Sequence, residues 1–177
     1  MQPSHIYLPA LIIFGLNIFS CKKDESPSGC CGTPSIEASF GNATIFVPNI
    51  FTPNGDGIND LLQVYGDSIR IISNLEITTS NGIVVFSAMD VFQNDPVATW
   101  DGYVNGIKLE GLFDISVTSM AEDGTIKIFK GKVYNYPCGD ATFPHPVNTN
   151  DCHFPSQVDN GVYNHNIPSG ENSDCFE

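Results

Sequence analysis

Short apolar runs separated by turn residues make up the middle of the chain. Their β-branched and aromatic content favours strands over helices. The runs are Ile45 to Val47, Leu61 to Tyr65, Ile69 to Ile72, Leu75 to Thr79, Ile83 to Phe86, Leu112 to Met120 and Ile126 to Tyr136. About seven short strands at this spacing predict an all-β protein with a β-sandwich fold.

Strict alternation is clearest in the run from Leu112. Phe113, Ile115 and Val117 alternate with polar residues, and Asp123-Gly124 then turns the chain into the last run. This pattern predicts a hairpin with one buried face. Asn81-Gly82 suits a two-residue primed turn between the fourth and fifth runs.

The N-terminus carries a different kind of apolar segment. Ile6 to Phe19 is nearly unbroken but is shorter than the ~20 residues of a membrane-spanning helix. It is typical of a secretory signal, and the following Ser20-Cys21 resembles a lipobox. We therefore predict a lipoprotein signal peptide at 1–20 and lipidation of Cys21. The alternative is an ordinary cysteine behind a standard signal peptide.

Composition divides the rest of the chain. Residues 21–44 are predicted to be a polar linker rich in Ser, Pro and Gly, and residues 45–137 the sandwich domain. Residues 138–177 are rich in Asn, Asp, Pro and Gly. Such a tail is too polar to bury a core of its own, so we expect it to be irregular and ordered by disulfides or by docking onto the sandwich.

The net charge of the chain limits the kinds of partner that it can bind. The 177 residues include 7 Lys and Arg against 20 Asp and Glu, which gives a net charge of -13. Such a chain repels phosphate backbones and anionic lipid, so we do not expect it to bind nucleic acid. Calcium or a basic partner fits this charge better.

One stretch of the sandwich resembles a known family. Val47 to Asp60, which reads VPNIFTPNGDGIND, resembles the opening motif of the gliding motility-associated C-terminal domain, the type B sorting domain of the type IX secretion system. Leu75 to Phe86 and Trp100-Asp101-Gly102 follow in the family's order, so the resemblance spans about Phe46 to Tyr136. It implies an immunoglobulin-like β-sandwich that lacks catalysis and acts as a secretion signal. The family's domain normally ends its protein, whereas a 40-residue tail follows here. The fold could thus be retained with or without the sorting role.

The same stretch offers candidate calcium ligands. Two carboxylates and two amides lie within seven residues between glycines, and calcium prefers carboxylate, amide and carbonyl oxygens. The candidate ligands are Asn54, Asp56, Ile58 and Asp60. The alternative is a double turn in which Asn54 and Asp56 cap their own backbone.

Cysteines and histidines gather in the tail. Three of the four histidines, His145, His153 and His165, accompany three cysteines there, but their spacing matches no short zinc motif. In an exported protein disulfides are favoured over thiolate sites. The candidates for disulfide bonds are Cys30, Cys31, Cys138, Cys152 and Cys175. With Cys21 lipidated, this odd number leaves one cysteine free or intermolecular.

Catalytic motifs are missing from the sequence. It contains no nucleophile elbow, zinc helix or phosphate loop. We expect no enzyme. The least favoured alternative is a small periplasmic enzyme that uses Asp56, Asp60 or Asp101. Trp100 could serve as a stacking platform for a glycan, but a core anchor is the favoured role for a single tryptophan in a sandwich.

Together these patterns predict a non-catalytic lipoprotein of the outer membrane or cell surface. We expect it to act in secretion, attachment or motility-related interactions, with type IX secretion components or other surface proteins as partners. The alternative is a calcium- or glycan-binding surface module.

Overall fold

The fold was analysed in a computed structural model, which describes residues 33–95, 98–138, 151–172 and Cys175. Two sheets pack face to face. The smaller sheet contains β1 (Ile36–Phe40), β2 (Ala43–Val47) and β4 (Tyr65–Asp67) in the order β1-β2-β4. The chain is thus a β-sandwich, as predicted.

The larger sheet has five strands in the order β3-β10-β9-β5-β6. They are β3 (Ile50–Phe51), β5 (Ile69–Thr78), β6 (Val84–Ala88), β9 (Gly111–Ala121) and β10 (Ile126–Asn135). The predicted hairpin of the alternating run is β9 paired with β10 over ten residues. Among the strands of the described residues, β3 alone pairs in parallel, with the end of β10.

Aromatic and β-branched side chains from both sheets fill the space between them. Trp100 is 1% exposed, with its ring centroid 5.4 Å from that of Phe51 and 5.0 Å from that of Phe113. Its indole N–H donates to the carbonyl of Tyr103 at 3.2 Å, which satisfies the polar end of a buried ring. Trp100 is therefore a core anchor.

Two small hairpins complete the described chain. β7 (Tyr103–Val104) pairs with β8 (Ile107–Lys108), and β11 (Val158–Asp159) with β12 (Val162–Tyr163). Asn105-Gly106 and Asn160-Gly161 join them with positive φ at both residues, the signature of a primed turn. At Asn81-Gly82, by contrast, only the glycine has positive φ and the turn closes from Thr79 to Ile83. The primed turn predicted there was wrong.

Other boundaries also differ from the prediction. Strand β1 lies within residues 21–44, the predicted linker, because Ile36, Ala38 and Phe40 turn towards the core while the residues between them are exposed. The third and fourth predicted strands are one strand, β5, with a register shift between Ile72 and Asn74. The two main sheets of the described chain thus contain eight strands. In these described residues we find no helix with the length and apolar character needed to cross a bilayer.

Candidate functional site at the docked tail

The described part of the tail packs against the sandwich, where its strand β12 contacts β2 and β4. A second cluster of buried residues joins strands β3 and β10 to the tail: Ile50, Tyr134, Tyr136, Cys152, Phe154 and Cys175. A 3₁₀ turn, Pro155–Gln157, and the β11–β12 hairpin follow. The tail is thus irregular, as predicted, and docking rather than a core of its own orders it.

Asn49 connects three separate segments. Its side chain is fully buried just before β3. The amide nitrogen donates to the carbonyls of Thr33 at 2.9 Å and Asp151 at 2.8 Å, and the amide oxygen accepts the N–H of His153 at 2.8 Å. Asn49 and Thr33 are both buried, and these bonds give their polar groups partners. Asn49 therefore fastens both the segment before β1 and the tail to the sandwich.

Glu171 makes a second connection. Its Oε2 accepts the hydroxyl of Thr52 at 2.6 Å and the amide of Asn59 at 2.9 Å. Asn59 also donates to the carbonyl of Ser169 at 3.0 Å and accepts the N–H of Ser156 at 2.9 Å. Asn59 does this from a left-handed backbone with φ of 55°, a conformation that asparagine tolerates better than most residues. The stretch Val47 to Asp60 thus holds the tail through Asn49, Thr52 and Asn59.

Disulfide bonds add covalent links. Cys138 is bonded to Cys175, which closes a loop across the tail, and Cys152 is also disulfide-bonded. The prediction that disulfides help to order the tail is thus confirmed for Cys138 and Cys175. The candidates Cys30 and Cys31, and the lipidation candidate Cys21, lie outside the described residues.

The predicted calcium ligands form a compact turn. Oδ1 of Asp60 accepts the N–H groups of Asn54 at 2.9 Å and Gly55 at 2.7 Å, and Oδ2 accepts that of Gly57 at 2.7 Å. Asp56 likewise accepts the N–H of Ile58 at 2.8 Å and the amide of Asn54 at 2.9 Å. Every carboxylate oxygen of the loop therefore accepts an N–H group, which satisfies the backbone of two tight turns.

A different group of residues has metal-ligand geometry. Cys138, Glu171 and Cys175 each place one possible ligand atom within 4.8 Å of the other two. Among the described residues this is the single group of three or more with this geometry. The two sulfurs are joined in a disulfide, whereas thiolates are the form in which cysteine binds metals. A metal is conceivable here only in the reduced protein.

The described histidines are dispersed. Nδ1 of His153 lies 2.8 Å from Oε1 of Glu37 and 2.7 Å from Oγ of Ser35. A nucleophilic triad needs the serine and the carboxylate on opposite ring nitrogens, whereas here both contact Nδ1. The His153 ring stacks on Tyr163 with centroids 3.9 Å apart, so it serves as a further docking contact. His145 lies outside the described residues.

Burial perturbs the nearby phenols. It raises the pKa of Tyr65 to about 12. Burial, followed by the negative charge of Glu37, also raises the pKa of Tyr163. Both rings flank Phe46, with centroids 6.1 Å and 5.4 Å away. The phenols therefore stay neutral and act as packing groups.

Sequence reasoning missed the residues that dock the tail. Each of them has a partner more than a hundred residues away in the sequence: Asn49, Thr52, Asn59 and Glu171. The sequence offered one signal for them: Val47 to Asp60 contains more polar residues than a single turn needs.

Comparisons with known proteins give little further information. No protein-family model matches the chain, and no curated protein matches it. Solved structures that match include the crystal structure of CopC from Methylosinus trichosporium OB3b, with 14% identity and a TM-score of 0.37. The match covers 58% of this chain and 94% of that one. At this score the likeness carries no argument about function.

Proposed function

We propose that the protein is a non-catalytic lipoprotein of the outer membrane or cell surface. Its tail-capped sandwich acts as an interaction module in secretion, attachment or motility. The proposal rests on one observation: the polar side chains in Val47 to Asp60 make hydrogen bonds within the fold. Asn49, Thr52 and Asn59 hold the tail, and Asp60 holds its own loop. These polar side chains therefore help to hold the fold together.

The predicted anchor supports a location at the membrane. A diacylated Cys21 would supply two acyl chains, and stable anchoring takes two such signals. The polar linker that follows Cys21 in the sequence would then be the tether. The negative net charge of -13 favours a domain held in solvent above the lipid surface.

The tail bears on the sorting role implied by the family resemblance. It covers the segment that carries the resemblance, through buried side chains such as Asn49. We therefore propose that the fold serves here as the body of an interaction protein and that the anchor, rather than the motif, retains it at the membrane.

A deletion strain of the native host tests this proposal. Secretion of type IX cargo, surface attachment and spreading are measured in the deletion strain and after complementation. We expect a defect in at least one of the three, restored by the wild-type chain but not by the Cys21→Ala variant. A deletion strain identical to its parent in all three would refute the proposal.

A matched variant separates this function from catalysis. Asp56→Asn combined with Asp101→Asn removes two of the three carboxylates of the enzyme alternative and leaves Asp60, which holds the loop. Each changed side chain keeps an acceptor for the turn it closes. We expect full complementation by this variant. A folded variant that fails to complement would favour the enzyme.

Calcium binding is the second candidate. It is favoured by two carboxylates, those of Asp56 and Asp60, that both accept hydrogen bonds from Asn54 within one short loop. A calcium ion would have to bind lone pairs of these carboxylates that accept no N–H group. A calcium site predicts a higher melting temperature in millimolar calcium than in chelator, lost in Asp56→Asn with Asp60→Asn. Identical melting in both buffers would leave the loop as a turn.

The glycan alternative required Trp100 to be exposed for stacking on a sugar ring, whereas Trp100 is buried.

A further inference from the structure

A cavity lies between the outer face of the smaller sheet and the β11–β12 hairpin of the tail. Its volume is about 330 Å³, within the ~300–1,000 Å³ that is usual for ligand pockets. Apolar or aromatic side chains and polar side chains both line it, among them Phe46, Val162 and Tyr163 with Glu37, Ser39 and Thr44. This mixed lining suits an amphipathic side chain with an apolar stem and a polar head.

The strands of the smaller sheet place the polar part of the lining. On β1 the core-facing side chains alternate with Glu37 and Ser39, which therefore lie on the outer face. Thr44 of β2 is paired with Ser39 of β1 and with Asp67 of β4, and residues paired across neighbouring strands lie on the same face. The outer face of this sheet thus carries two carboxylates, and that of Glu37 lines the cavity.

Neighbouring groups hold the Glu37 carboxylate in place. Its Oε1 accepts the hydroxyl of Ser35 at 2.7 Å and lies 2.8 Å from Nδ1 of His153. No group among the described residues donates a hydrogen bond to its Oε2. The carboxylate also acts on the cavity, because its negative charge is, after burial, the second cause of the raised pKa of Tyr163. Glu37 therefore presents a positioned carboxylate with one oxygen that can accept a donor from outside the chain.

The charge of this region determines the kind of partner. The Lys and Arg side chains of the described residues belong to the larger sheet and to β8: Arg70, Lys108, Lys127, Lys130 and Lys132. The smaller sheet and the β11–β12 hairpin contain no Lys or Arg within their strands, but they contain Glu37, Asp67 and Asp159. Charge complementarity therefore selects a cationic partner, whereas a second copy with a net charge of -13 would be repelled.

We propose that this cavity binds a lysine side chain of a partner protein. The methylene stem would pack against Phe46 and Val162, and the ammonium group would donate to Oε2 of Glu37. Arginine fits less well, because its planar fork favours both oxygens of a carboxylate and Oε1 of Glu37 already has two contacts. The lysine site rests on the proposed function, since it names the partner chemistry of the same interaction module.

Chemical-shift mapping by nuclear magnetic resonance tests the site on the full exported chain, with Cys21→Ala in every sample to exclude association through lipid. The probe is a blocked Gly-Lys-Gly peptide at low salt. We expect saturable shifts of the amides from Glu37 to Phe46 and at Val162 and Tyr163. The same peptide acetylated on the lysine amine should cause none of them, and a blocked Gly-Arg-Gly peptide should bind more weakly. Shifts that spread over the carboxylates of the chain without saturating, or an arginine peptide that binds as well, would overturn the proposal.

Matched variants assign the binding to one carboxylate. Glu37→Gln removes the charge but keeps an acceptor for Ser35, and it should raise the dissociation constant at least threefold. Glu76→Gln, on β5 of the larger sheet, removes the same charge and should leave the dissociation constant unchanged. Ser39→Lys adds an ammonium group to the cavity lining and should abolish binding. Circular dichroism verifies that each variant is folded.

Two outcomes separate the lysine site from the proposed function. Equal affinities of Glu37→Gln and Glu76→Gln, or a wild-type chain that does not bind the lysine peptide, would overturn the site while a defect of the deletion strain would still support the function. A deletion strain without any defect would refute the function, whereas saturable binding that depends on Glu37 would still support the site.

Discussion

Asn49 is the residue whose loss should most disturb the docked tail. Its side chain is fully buried and makes three hydrogen bonds, to Thr33, Asp151 and His153, at 2.8 to 2.9 Å. Asn49→Ala removes all three at once. The carbonyls of Thr33 and Asp151 and the N–H of His153 then remain at the site without their partner.

The expected magnitude follows from these bonds. A buried hydrogen bond contributes about 1 kcal/mol net, and a buried group left unsatisfied costs about 1–3 kcal/mol. Three bonds therefore predict a loss of about 3–5 kcal/mol, with water entering the vacated volume lowering the cost. This is a large fraction of the ~5–15 kcal/mol that stabilises a typical domain.

Two assays distinguish global from local loss. Urea unfolding gives the change in the free energy of unfolding, and hydrogen exchange shows where amides become exposed. We expect faster exchange from Asp151 to Glu171, with the amides of β9 and β10 still protected at low urea. Asn166→Ala, an exposed tail residue, is the control. A loss below about 1 kcal/mol with unchanged exchange in the tail would refute the role assigned to Asn49.

Three further predictions concern the tail, the loop and a buried phenol. Replacing both Cys138 and Cys175 by serine opens a loop with a sequence separation of 37 and should lower the free energy of unfolding by about 2–4 kcal/mol; equal urea midpoints with and without the bond would contradict this. Asp60→Asn should cost about 1–2 kcal/mol in chelator, because three backbone N–H groups lose a charged acceptor; Glu122→Gln, at an exposed site, should cost nothing measurable. The raised pKa of Tyr65, about 12 against an ordinary 10.0, means that the folded state retains a proton which the unfolded state loses. Its contribution to stability is complete below pH 10 and is lost as the pH rises through about 12. The free energy of unfolding should therefore fall less steeply with pH in Tyr65→Phe than in the wild type. An equal slope in the two proteins would show that other groups cause the fall.

Local patterns predicted much of the sandwich. The alternation around Phe113 and Ile115 identified β9 and its hairpin with β10, because a strand with one buried face imposes a period of two on its own sequence. Strand β1 was missed although Ile36, Ala38 and Phe40 alternate in the same way, because the polar residues preceding them gave the whole stretch the composition of a linker. The break predicted after Ile72 was read from Ser73-Asn74, which the structure accommodates as an irregularity within β5.

Long-range contacts explain what the sequence could not predict. The bond between Asn49 and Asp151 joins residues 102 positions apart, and no local period or spacing encodes such a pair. Polar residues in Val47 to Asp60 were interpreted as metal ligands because their oxygens suit calcium. The same oxygens also suit backbone N–H groups, and only the folded geometry shows that the carboxylates of Asp56 and Asp60 accept them.

The proposed anchor is tested most directly by the mass of the protein's own N-terminus. The protein is purified from membranes of the native host after growth with a labelled fatty acid, and the N-terminal peptide is analysed by mass spectrometry. The account predicts a mature chain beginning at diacylated Cys21, with the label and the membrane association both lost in Cys21→Ala and retained in Ser26→Ala. An unmodified Cys21 in the wild type, or membrane association that persists in Cys21→Ala, would contradict it.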